Sequence, residues 1–65
     1  MNNNKFDKLL KEQDVADILS IPVSTLRDWR FRKVGPTYCK IGRHVRYKQS
    51  DIDGFVSSRT IKISV

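Results

Sequence analysis

The chain is poor in the residues that do covalent or metal chemistry. Its 65 residues include one cysteine, Cys39, and one histidine, His44. A lone cysteine excludes an internal disulfide. Cys39 and His44, placed around a predicted turn, do not make a zinc site, which needs four ligands in paired spacings. Cys39 reads as a half-buried strand residue and His44 as a solvated turn residue. No Ser/His/Asp set or carboxylate pair converges, so the inventory argues against an enzyme. Three glycines and two prolines leave no Gly-rich phosphate loop, linker or repeat, and no cofactor is expected. No apolar run approaches the ~20 residues that cross a membrane, and no secretory leader is evident. The expectation is a soluble cytoplasmic protein of one domain, residues 1–65, with an ordered core over about 9–59. A chain this short is near the lower limit for folding on a hydrophobic core alone.

Acidic residues are also scarce, seven against thirteen Lys and Arg, and the imbalance is localised. Residues 1–24 carry −1 and residues 49–65 carry 0. Residues 25–48 carry +7, from Arg27, Arg30, Arg32, Lys33, Lys40, Arg43, Arg46 and Lys48 against Asp28 alone. Solubilising surfaces intersperse both signs, whereas a concentrated field of one sign suits a polyanion.

The apolar pattern predicts three short helices and a hairpin. Met1 to Lys5 reads as a frayed terminus, and Phe6, Leu9 and Leu10 as a short strand or a hydrophobic clasp. Glu12 to Leu19 places Val15, Ala16, Ile18 and Leu19 at helical spacing, with acidic residues in its first turns; Lys11 before it is a poor cap. Ser20-Ile21-Pro22 breaks the pattern, and a second helix starts at Pro22, whose missing N–H costs nothing in a first turn. Its apolar stripe holds Leu26 and Trp29 as core. Phe31 falls on the polar side, so either the helix stops near Arg30 or Phe31 packs beneath the following hairpin. After Gly35-Pro36 the period becomes two, from Thr37 to Tyr47 around Gly42-Arg43-His44, the pattern of a β-hairpin. Ser50 and Asp53 then resemble a capping box for a third helix over about Asp51 to Ser58. Thr60 to Val65 alternates like a strand without a partner.

Two helices joined by a tight break and followed by a basic hairpin are the parts of a helix-turn-helix with a wing. In that geometry the N-terminal residues of the second helix approach base edges in the major groove. Those residues are Val23, Ser24, Thr25, Arg27 and Asp28, with Arg30 and Arg32 further along. Arg27 can fork onto guanine, Ser24 and Thr25 can reach a base or phosphate, Val23 can pack on a thymine methyl, and Asp28 can accept from cytosine or orient Arg27 or Arg32. Arg43 and His44 at the hairpin tip, with Arg46 and Lys40 behind, fit the backbone or the minor groove. The partner is therefore duplex DNA. A basic module that docks an acidic protein is the alternative, and RNA fits less well because no aromatic platform is evident on the strands.

The segments Asp14-Val15-Ala16-Asp17-Ile18-Leu19, Ser24-Thr25-Leu26 with Trp29, Gly35 to Arg43, and Arg46 to Ile52 resemble the AlpA-like and excisionase-like helix-turn-helix proteins of phages and integrated elements, which are related to the DNA-binding head of MerR regulators. The likeness covers Leu9 to about Arg59, although Lys11 and Pro22 stand where the family commonly has small capping residues. It implies an α+β winged helix-turn-helix with the second helix in the major groove. It also implies a transcription regulator or an excision factor, in the latter case with an integrase as partner, in a bacterial or phage-infected cell and near the nucleoid. The few residues after the third helix do not make a coiled coil, so a monomer that assembles cooperatively on DNA is expected.

Overall fold

The computed structural model describes residues 8–63, and Phe6, the segment Met1 to Lys5 and the last two tail residues lie outside that range. The elements run β1 (Leu9–Leu10), α1 (Glu12–Leu19), α2 (Val23–Phe31), β2 (Cys39–Ile41), β3 (His44–Lys48) and α3 (Gln49–Ser58). Leu9 and Leu10 therefore form a strand, and it pairs antiparallel with Lys48 and Tyr47 of β3. The sheet has three strands in the order β1-β3-β2. The architecture is α+β, three helices with a hairpin wing, as the pattern of periods implied. No helix among the described residues is long and apolar enough to cross a membrane.

The core is Leu10, Val15, Ala16, Leu26, Tyr47 and Ile52, so every element except β2 contributes to it. Each fully buried side chain of this size adds roughly 1.5–3 kcal/mol. Tyr47 is the largest of them, and its hydroxyl accepts from the Arg30 guanidinium at 2.8 Å. In α1 only Val15 and Ala16 are buried. Ile18, placed with them by its spacing, is 50% exposed. On a 100° wheel it lies at the rim of the stripe centred between Val15 and Leu19.

Local backbone chemistry explains the helix ends. The Lys11 N–H donates to Asp14 Oδ2 at 3.0 Å, so Asp14 supplies the cap that the Lys11 side chain has no oxygen to provide. Both α1 and α2 close with a pair of reversed bonds: Ser20 to Asp17 and Ile21 to Ala16 in the first, Lys33 to Arg30 and Val34 to Trp29 in the second. This is the Schellman arrangement, which needs one left-handed residue; Ser20 (φ 56°) and Lys33 (φ 61°) provide it. Pro22 precedes α2 rather than opening it. Its extended backbone (ψ 148°) makes it the cap, and its carbonyl accepts from Thr25 at 3.0 Å.

Trp29 is half-buried against the edge of the core rather than central to it. Its ring centroid is 5.8 Å from that of Phe55. Gly35, at φ +86°, lies close against it, and a Cβ there would lie 2.7 Å from Trp29 Cε3. The hairpin is tighter than its sequence period implied. Ile41 pairs with His44, so Gly42-Arg43 alone form the turn, and φ +63° at Gly42 fits glycine at the first central position of a type II′ turn. Helix α3 starts two residues earlier than a Ser50 cap would place it. It follows directly from β3, with Lys48 as cap, because the Gln49 N–H is bound across the sheet by the Lys8 carbonyl at 2.9 Å. Residues 61–63 form no strand.

Candidate nucleic-acid interface

Helix α2 divides cleanly. Ser24, Arg27, Asp28 and Phe31 are exposed, while Val23, Thr25, Leu26, Trp29 and Arg30 are half-buried or buried. The exposed four are spaced i, i+3, i+4 and i+7 and so form one stripe. The structure therefore separates the residues at the start of α2: Ser24 is on the open face, whereas Val23 packs against the core and Thr25 is half covered. Phe31 takes the first of the two places its sequence position offered: it is the last residue of α2, so the helix stops one residue beyond Arg30, and its ring is 85% exposed rather than packed beneath the hairpin.

Charge on this face is ordered by one carboxylate. Glu12, at the start of α1, receives Arg27 through Nη2 at 2.6 Å and Nε at 3.2 Å, and Arg30 through Nη2 at 3.0 Å. The Arg27 bond holds the Glu12 carboxyl below its ordinary range; partial burial opposes this and Arg30 reinforces it. Arg27 remains 63% exposed, but the Arg30 side chain is only 17% exposed. Burial works against the Arg30 charge, and the Tyr47 hydroxyl and Glu12 more than compensate, so its pKa is raised. The Tyr38 ring adds a cation–π contact at 5.7 Å. Arg30 thus braces α2 against α1 and β3. Asp28 Oδ2 accepts from Arg32 Nε at 2.9 Å, one turn further on, so the geometry has Asp28 orienting Arg32.

The hairpin meets the helices across an open groove of about 450 Å³ lined by Lys11, Glu12, Gln13, Arg30, Arg43, His44, Val45 and Arg46. The fold therefore brings Arg43, His44 and Arg46 of the wing to the same groove as Arg30, and through Glu12 to Arg27. Arg46 Nη1 donates to the Val45 carbonyl at 2.8 Å, which folds its guanidinium back onto the strand backbone. Lys40 stands opposite Val45 in the ladder and so on the other face of the hairpin from Arg46, which pairs with Cys39. Sequence reasoning missed Lys11, Glu12 and Phe31. The first two belong to a separate helix start, and only the packing of α1 on α2 brings them to the groove. Among the described residues no group of His, Cys, Asp and Glu is arranged to hold a metal ion.

Two short helices joined by a three-residue turn, braced by an antiparallel wing with basic residues at its tip, define a winged helix-turn-helix module. The chain belongs to the helix-turn-helix domain family, of the AlpA-like and excisionase-like kind, whose model matches residues 9–60. Membership makes it a DNA-binding protein. No curated protein matches it in sequence.

Proposed function

We propose that this chain binds specific sites in double-stranded DNA, with the open stripe of α2 in the major groove and the Gly42-Arg43 turn on the backbone or in the minor groove. The observation that carries this reading is the groove that Arg30 of α2, Lys11 and Glu12 at the start of α1 and Arg43, His44 and Arg46 of the wing share, with Arg27 of the open stripe joined to it through Glu12. In this reading Arg27 and Ser24 reach base edges. Arg43, His44 and Arg46 contact backbone, Arg32 is held toward a phosphate by Asp28, Arg30 positions the helix, and Lys40, on the other face of the hairpin, adds to the positive field. The protein serves a phage or integrated element as a transcription regulator, or as an excision factor working with an integrase. A net charge of +6 keeps free copies apart. A single module of this size buries only about 600–1,000 Å² on DNA, so copies bind cooperatively at adjacent sites.

The test compares Arg27→Ala with Arg43→Ala on a selected site and on random duplex, each at two salt concentrations. Arg27→Ala is expected to lose about tenfold or more on the selected site and little on random DNA, because a forked guanine contact discriminates by roughly that factor. Arg43→Ala is expected to weaken both duplexes alike and to flatten the salt dependence. Equal losses on both duplexes for Arg27→Ala would make it a phosphate contact and refute the base-reading role of α2.

A further inference from the structure

The stripe of α2 that carries Ser24, Arg27 and Asp28 ends in Phe31, whose ring is packed against no other ring among the described residues and is 85% exposed. The other exposed apolar side chains within helices and strands, Leu9, Ile18, Ile41 and Val56, are covered to about half. Single exposed apolar residues are ordinary on protein surfaces, so exposure alone does not make a site. Position is the additional observation. Phe31 lies one turn beyond Arg27 and two turns beyond Ser24 on the face that holds the candidate base readers. Seven residues of helix span about 10.5 Å, which matches about three base-pair steps at 3.4 Å each. Ser24 and Arg27 are therefore spaced by about one base-pair step, and Arg27 and Phe31 by about two.

The chemistry of the major groove says what an aromatic ring would meet there. Three of the four bases present hydrogen-bonding groups alone along that edge, and thymine adds an apolar 5-methyl group, which Phe contacts favourably. The surroundings of Phe31 fit DNA better than an apolar protein partner. Its neighbours along the stripe are Arg27 and Asp28, and Arg32 beside it is tied to Asp28 at 2.9 Å. A protein-docking patch would be continuous and apolar; here one ring stands among arginines, as suits a surface that must also meet phosphates. We propose that Phe31 is a specificity-determining residue that packs on the methyl group of a thymine one or two base pairs beyond the guanine forked by Arg27. The proposal rests on the placement of α2 in the major groove.

The experiment begins with a duplex selected by the unaltered protein from a random-sequence pool. Each thymine of the selected site is replaced in turn by deoxyuridine, which removes the methyl and nothing else. Dissociation constants are measured for the unaltered chain, for Phe31→Ala and for Arg27→Ala, with thermal melts to verify folding. Burying one methyl group is worth about a factor of four in affinity. The unaltered chain is expected to lose about that factor at one or two thymines within the span of the stripe, and Phe31→Ala to bind thymine and deoxyuridine duplexes equally there. The deoxyuridine series on the unaltered chain needs no variant, so the result does not depend on the folding of Phe31→Ala. Indifference of the unaltered chain to every replacement overturns the proposal. So does a selected site with no thymine within the stripe's span, or an unchanged thymine preference in Phe31→Ala. If Phe31→Ala binds every duplex as the unaltered chain does, the ring makes no contact with DNA and the proposal falls. Loss of site preference in Arg27→Ala, with the thymine preference kept in Phe31→Ala, removes this inference and leaves the major-groove reading standing. Failure of the Arg27 and deoxyuridine arms together removes both.

Discussion

Replacing Glu12 by Gln separates the bracing of α2 from everything else on this face, because one carboxylate serves two arginines of different burial. The Arg27 arm is on the surface, where exposed ion pairs contribute little. The Arg30 arm decides the outcome. Arg30 is 17% exposed and Glu12 26%. In the variant its guanidinium keeps the Tyr47 hydroxyl at 2.8 Å and the Tyr38 ring, but loses the charge of its ion-pair partner. A hydrogen bond to a charged group contributes about 1.5–3 kcal/mol when buried. Discounted for the partial exposure of Glu12, the loss is about 1–2 kcal/mol, or on the order of 5–15 °C in Tm for a domain of this size. The dependence on pH gives the sharper test. The folded-state pKa of Glu12 is lowered, so its contribution is fully present above the unfolded carboxylate pKa and is lost as pH falls through the folded value. Melts of the two proteins should differ at neutral pH and converge in acid. A Tm difference that is absent at neutral pH, or that persists unchanged into acid, refutes the assignment of Glu12 as the brace.

Two glycines are expected to respond in opposite directions. Gly54→Ala should stabilise the protein by up to about 1 kcal/mol, since a Cβ at that helical position meets nothing within 4 Å. Gly35→Ala should destabilise it by more than that, because it combines φ +86° with a collision against Trp29. Chemical denaturation with Trp29 fluorescence reads both, and equal effects would contradict the geometry. For assembly, sedimentation of the free protein should give a monomer, and band-shift titration should show tighter binding per site on two adjacent sites than on one. A stable dimer without DNA, or equal affinities per site, would exclude cooperative assembly of monomers.

Much of this protein is local and therefore legible in its sequence. The gathering of +7 into residues 25–48, the break at Ser20-Ile21-Pro22, the change of period after Gly35-Pro36 and the glycine of the hairpin turn all act between residues close in the chain. Together they specify a basic helix-turn-helix with a wing. Periodicity also groups Ser24, Arg27, Asp28 and Phe31 on one face. It does not say which faces are covered, since that depends on partners distant in sequence. Arg30 looks like another surface cation until Glu12, eighteen residues earlier, and Tyr47, seventeen later, enclose it. Helix α3 begins at Gln49 rather than after Ser50 because the Lys8 carbonyl is there to receive the Gln49 N–H. The sequence leaves open whether Phe31 follows the helix end or packs under the hairpin, and in the fold it is the last residue of α2. Only the packing of α2 through Leu26 and Trp29 turned it outward, onto the face that a DNA duplex would fill.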